Sequence, residues 1–120
     1  MSTRYTGIDG EMIAADYLAG IGARVIDRNV SIAGAEIDII AIIENTIVFI
    51  EVKRRTTLRY GRPSEAVTPA KMRNVVIAAD AYIRANRIDS QVRFDIVAIT
   101  GDGESHSIEH IRDAFYPELR

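Results

Sequence analysis

Glu36-Ile37-Asp38-Ile39-Ile40-Ala41-Ile42-Ile43, then Glu44-Asn45, then Thr46-Ile47-Val48-Phe49-Ile50-Glu51-Val52-Lys53-Arg54-Arg55 is the stretch whose reading decides the fold. Two apolar, β-branched runs flank a two-residue connection, the pattern of a β-hairpin. Ile47 and Phe49 take one alternating face; Val48, Ile50 and Val52 take the other. A strand that is apolar on both faces needs cover on both. Asp38, Glu51 and Lys53 interrupt these runs. Burying an ion is costly unless it is paired or holds a metal, so the charges require an explanation.

Strand geometry offers one. Glu51 and Lys53 share a face, and pairing outward from the Glu44-Asn45 turn sets Asp38 opposite Glu51. Like charges directly opposite destabilise a hairpin. Two carboxylates converging beside an amine are the makings of a divalent-cation site, and oxygen ligands suit Mg²⁺ or Mn²⁺.

The rest of the chain builds a frame around this hairpin. A helix is expected from about Asp9, with Ala14, Tyr17, Leu18 and Ile21 as its apolar stripe and Gly20 and Gly22 as its stop. Glu11 borders that stripe; on pattern alone it reads equally as a first-turn acid favoured by the helix dipole. Arg24 to Ile32 reads as a strand, and Ala33-Gly34-Ala35 turns it into the hairpin. Thr68-Pro69 opens a second helix, with a hydroxyl N-cap before proline at the first helical position. Met72, Val76, Ala79 and Ile83 are its expected buried stripe, and it should run to about Asn86. Gln91 to Thr100 is a further strand, with Val92, Phe94, Ile96 and Ala98 on one face. Arg93 and Asp95 take the other face, where they can pair along the strand. Ser105 to Arg112 can add an edge strand. His106 and His110 read as surface histidines, too isolated for metal ligation. The order helix, three strands, helix, strand makes the second helix a crossover to a parallel strand, giving an α/β chain with a mixed sheet covered on both faces.

Composition bounds the possibilities. The 120 residues suit one domain; 48% are hydrophobic and 27% charged, as in ordinary globular proteins. Without cysteine, disulfides, zinc-thiolate sites and iron–sulfur clusters are excluded. No apolar run suits a bilayer span and the N-terminus has no signal-peptide core, so a cytoplasmic protein is expected. A formal net charge of −2 argues against a histone-like electrostatic binder. It leaves room for a local basic groove. Arg54 and Arg55 follow Lys53 directly, Arg59 and Arg62 come in the loop after them, and Lys71 and Arg73 open the second helix. Such a run is most often a solvated surface, but this one leaves from the acidic site, which favours phosphate binding.

The residues also carry a family resemblance. Asp38 followed by Glu51-Val52-Lys53 resembles the D…ExK signature of restriction-endonuclease-like nucleases. Gly10-Glu11, Arg28-Asn29, Glu36-Ile37-Asp38, Val48 to Lys53, Glu65-Ala66-Val67, Lys71 and Arg93 to Val97 stand in the order of the YraN family of predicted endonucleases. That group is similar in fold to archaeal Holliday junction resolvases. The match covers roughly residues 7 to 100, with Ala35 where the family usually has glycine. The resemblance implies a three-layer α/β/α nuclease domain acting on DNA, branched or junction DNA included. It implies metal ligation by Asp38, Glu51 and Glu11, with Lys53 orienting or activating the attacking water. The basic run, read from the residues themselves, would set Arg54, Arg55, Arg59, Arg62 and Lys71 as a rim along the nucleic acid. Resolvases of this fold are dimers, so a homodimer is allowed. Two other readings stand beside it: a nucleic-acid-binding module whose cleavage is weak or lost, and a structural domain whose acids form ordinary ion pairs.

Overall fold

The computed structural model describes residues 7–55, 67–102 and 105–115. The chain runs α1 (Gly7–Gly20), β1 (Arg24–Ile32), β2 (Ala35–Ile43), β3 (Thr46–Arg55), α2 (Pro69–Ala85), β4 (Gln91–Asp102) and β5 (Ser105–Ile111). The strands form a single sheet in the order β1-β2-β3-β4-β5. β1, β2 and β3 make an antiparallel meander, β4 joins β3 in parallel, and β5 closes antiparallel on β4. This is a three-layer α/β/α architecture with a mixed sheet. Among the described residues no helix is long and apolar enough to cross a membrane.

The central hairpin forms for the reason its turn residues give. Glu44 and Asn45 both hold positive φ, 50° and 68°, the geometry that matches the twist of paired strands. The register follows from it: Ile43 pairs Thr46, Ala41 pairs Val48 and Ile39 pairs Ile50. Alternation then divides the core. Ile39, Ala41, Ile43, Val48, Ile50, Val97 and Ile99 pack with Ile13, Ala14 and Leu18 of α1. Ile40, Ile47, Phe49, Phe94, Ile96 and Ala98 pack with Val75, Ala78 and Ala79 of α2.

The helices depart from expectation in phase. Ile21 is 40% exposed, because α1 has already ended: the Ala23 N–H bonds the Leu18 carbonyl and Gly22 turns at φ +92°. The buried face of α1 is Ile13, Ala14 and Leu18, with Tyr17 at its margin. In α2 the buried residues are Val75, Ala78 and Ala79; Met72, Val76 and Ile83 flank them half-buried. On β1, Ile26 falls at a register shift between Val25 and Asp27 and is exposed.

Candidate metal and phosphate site

Asp38 sits where the alternation of β2 fails. Ile39 belongs to the α1-side core, yet Ile37, two residues earlier, packs on the α2 side with Ile40. Across the ladder, Asn29 adopts φ 53°, between the pairs Arg28↔Ile39 and Val30↔Ile37. A left-handed residue there breaks the pleat of both strands. Asp38 is thereby half-buried at the break, and its Oδ2 accepts the Val52 N–H at 2.8 Å. The carboxylate thus satisfies a backbone donor one residue beyond Glu51.

Glu51 continues the face of Ile47 and Phe49, and it is 3% exposed. Its Oε2 lies 3.7 Å from the Lys71 ammonium, while its Oε1 has no hydrogen-bond partner among the described residues. Burial and then the charge of Asp38 push Glu51 up to about 7, against the opposing charges of Lys71 and Lys53. Asp38 is also raised, chiefly by burial and despite its bond from Val52; Lys71 and Lys53 act on it too.

Glu11 approaches from α1. The preceding Gly10 packs over Arg54: a Cβ there would stand 3.2 Å from Cδ of that side chain. Burial raises the Glu11 carboxyl, and Asp38 raises it further; a hydrogen bond from Asn29 works the other way. Its Oε1 is also buried without a hydrogen-bond partner among the described residues. Asp38 is therefore the middle acid, the neighbour whose charge disfavours ionisation of both Glu11 and Glu51. Among the described residues no three acids or histidines are grouped so as to hold a metal ion by themselves, so Glu11, Asp38 and Glu51 do not form a ready-made three-ligand site.

The donor set nonetheless fits a hard divalent cation in chemistry. The two buried charged side chains among the described residues make the point by contrast. Asp95, fully buried, is saturated. Arg93 donates to Oδ1 through Nε and to Oδ2 through Nη2, each at 2.9 Å. His110 Nε2 donates to Oδ2 at 2.7 Å, and the Asp113 N–H to Oδ1 at 3.0 Å. Those bonds outweigh burial and hold Asp95 below the usual carboxylate range. Glu51 has one loose ammonium and a bare oxygen. A buried carboxylate left in that state is costly unless a proton or a cation neutralises it.

The basic residues divide. Lys53 shares the face of Glu51 and acts on both Asp38 and Glu51. Arg55 follows on that face by alternation. Arg54 lies on the opposite face, under Gly10, with Nη2 3.5 Å from the Gly101 carbonyl. Arg59 and Arg62 lie outside the described residues. Lys71, expected on the rim, instead reaches the acids themselves. Pattern reading missed Glu36, whose charge acts on Glu11 and Asp38, and Asn29, although both stand in the quoted motif order. His110 is a correction: its side chain is 5% exposed, buried by its bond to Asp95 and by Tyr17, whose Oη lies 2.9 Å from Nδ1.

A protein of Phocaeicola vulgatus described as "UPF0102 protein" is 42% identical over 113 residues, covering 94% of this chain and 93% of its own length. One of Pelobacter propionicus with the same description is 47% identical over 116 residues, covering 93% and 83%. One of Chlorobium limicola is 45% identical over 120 residues, covering 93% and 92%. The family model that matches spans residues 10–99, from the glycine before Glu11 to the end of the β4 core. The chain belongs to the uncharacterised protein family UPF0102.

Proposed function

We propose that this protein is a divalent-cation-dependent phosphodiesterase that cleaves DNA, with branched or junction DNA among its candidate substrates. The observation that carries the reading is Glu51: a buried carboxylate beside Asp38, with one oxygen bare and cations at hand. A purely structural acid in this sheet looks like Asp95, saturated by donors. The D…ExK pattern and the likeness to predicted endonucleases support the same chemistry.

Glu11, Asp38 and Glu51 are the residues that would hold the cation. When bound, Mg²⁺ or Mn²⁺ supplies Lewis acidity at a phosphoryl oxygen. Lys53 supplies a fixed positive charge on the Glu51 face, where a preorganised donor stabilises charge developing on the phosphate. Asp38 is held in place by its bond from the Val52 N–H. Arg55 extends the positive face along which a phosphate backbone would lie.

The test is a panel of linear, nicked, flapped and four-way DNA, incubated with Mg²⁺ or Mn²⁺ and either wild type or Asp38→Asn. Cation-dependent cleavage by wild type, abolished in Asp38→Asn, is the expected result. DNA binding without cleavage by any cation would replace the enzyme with a binding module on the same scaffold. Neither binding nor cleavage would overturn both.

A further inference from the structure

Lys71 stands in the first turn of α2, where the helix dipole disfavours a cation, and no acid of that turn offsets it. Its backbone is fixed: the Lys71 N–H donates to Thr68 Oγ1 at 3.2 Å, and Pro69 follows the cap. Its ammonium, on a flexible four-carbon stem, reaches Glu51 Oε2 at 3.7 Å. That is longer than a charge-assisted hydrogen bond, so the pair is loose. The partners are unequal. The Lys71 side chain is 39% exposed and the Glu51 side chain 4%. The Glu51 side chain is enclosed, while the exposed Lys71 side chain has solvent to swing into.

We propose that Lys71 is a displaceable counter-ion: it holds Glu51 in the cation-free protein and is released when a divalent cation takes that carboxylate, which frees the ammonium for a substrate phosphate. The proposal rests on the cation-dependent reading of the site and adds its regulation. Two features argue for exchange over a permanent ion pair. Glu51 Oε1 has no hydrogen-bond partner among the described residues, so the lysine does not complete the carboxylate. Lys71 also acts on Asp38, so it neutralises two of the acids from one exposed position that a divalent ion would fill better. The consequence is coupling. Cation and phosphate should each strengthen the binding of the other, because the first releases the group that binds the second.

The test compares wild type, Lys71→Gln, Lys71→Arg and Lys53→Gln, each checked for folding by thermal melting. Mn²⁺ affinity is measured by calorimetry, and affinity for a four-way DNA is measured with and without Mn²⁺. Lys71→Gln should bind Mn²⁺ about 5-fold more tightly, the weight of a partly exposed ion pair, and by more than Lys53→Gln. Lys71→Arg should not, since a guanidinium grips a carboxylate more firmly. The gain in DNA affinity caused by Mn²⁺ should shrink in Lys71→Gln. Unchanged or weaker Mn²⁺ binding by folded Lys71→Gln, or an effect no larger than that of Lys53→Gln, overturns the counter-ion role alone. Wild type that binds no Mn²⁺ overturns the cation-dependent reading and this inference together.

Discussion

The Asp38 carboxylate accepts the backbone N–H of Val52 at 2.8 Å, so one side chain both ends the β2–β3 ladder and sets the charge felt by Glu51 and Glu11. The two roles separate by substitution. Asparagine keeps an acceptor for Val52 and removes a charge that burial disfavours. Alanine leaves the Val52 donor without its partner. Asp38→Asn should therefore melt at or above the wild-type temperature without metal, while Asp38→Ala should lose about 1–3 kcal/mol. Both should lose cleavage. Urea unfolding of the three proteins in chelator checks this; equal stability of the Asn and Ala variants would remove Asp38 from the ladder.

Glu51 makes stability depend on pH in an unusual direction. Its folded value is about 7 against an ordinary 4.5. Between those values the unfolded chain has lost the proton and the folded chain still binds it. Stability must then fall as pH rises from about 4.5 to about 7, and level off above. The whole shift corresponds to on the order of 3 kcal/mol, shared with Asp38 and Glu11, whose raised values act in the same sense. Unfolding in chelator across pH 5 to 8 should show this slope, and Glu51→Gln should flatten it. Mn²⁺ should bind more tightly as pH rises, because the proton and the cation compete for one carboxylate.

The hairpin was legible because local chemistry determines it. Glu44-Asn45 tolerates left-handed φ, and the flanking runs alternate, so register and faces follow without knowledge of the rest. The parallel β3–β4 pairing was legible from the helix between them. What escaped depends on where distant elements meet. The break at Asp38 needs Asn29 across the ladder; Lys71 reaches Glu51 only because α2 is laid over that end of the sheet. His110 looked isolated because its partners, Asp95 and Tyr17, are 15 and 93 residues away in sequence.

That His110 contact leads to a stability prediction on the other face of the sheet. Asp95 ties together β4, β5 and the turn at Asp113, and through His110 it reaches Tyr17 of α1. Asparagine would keep the shape but set an amide N–H₂ against donors. Asp95→Asn should cost about 3–5 kcal/mol, as for a broken buried ion pair. Because Asp95 is held below the usual range, its stabilisation is present above the unfolded value of 3.8 and is lost as pH falls through the lower folded one. The variant should lack that acid limb. Mn²⁺ affinity should survive at temperatures where the variant is folded, and a large loss would tie this network to the metal site.

Lys53 separates catalysis from structure. It shares the face of Glu51 and opposes the repulsion of Asp38 and Glu51 without being a ligand. If its task is at the scissile phosphate, its positive charge matters most where charge develops, and the loss should fall on the rate. Lys53→Ala should then cut cleavage by roughly 10²-fold or more while Mn²⁺ affinity does not fall. Lys53→Arg should not restore the rate fully, since a planar fork differs in reach and shape from a compact ammonium. A structural counter-ion behaves differently. Removing it would lower the melting temperature, and the folded fraction would cleave normally. Melting, Mn²⁺ titration and single-turnover cleavage on one preparation of Lys53→Ala distinguish these outcomes. A normal rate from folded protein would withdraw Lys53 from the chemistry and leave the acids to carry it.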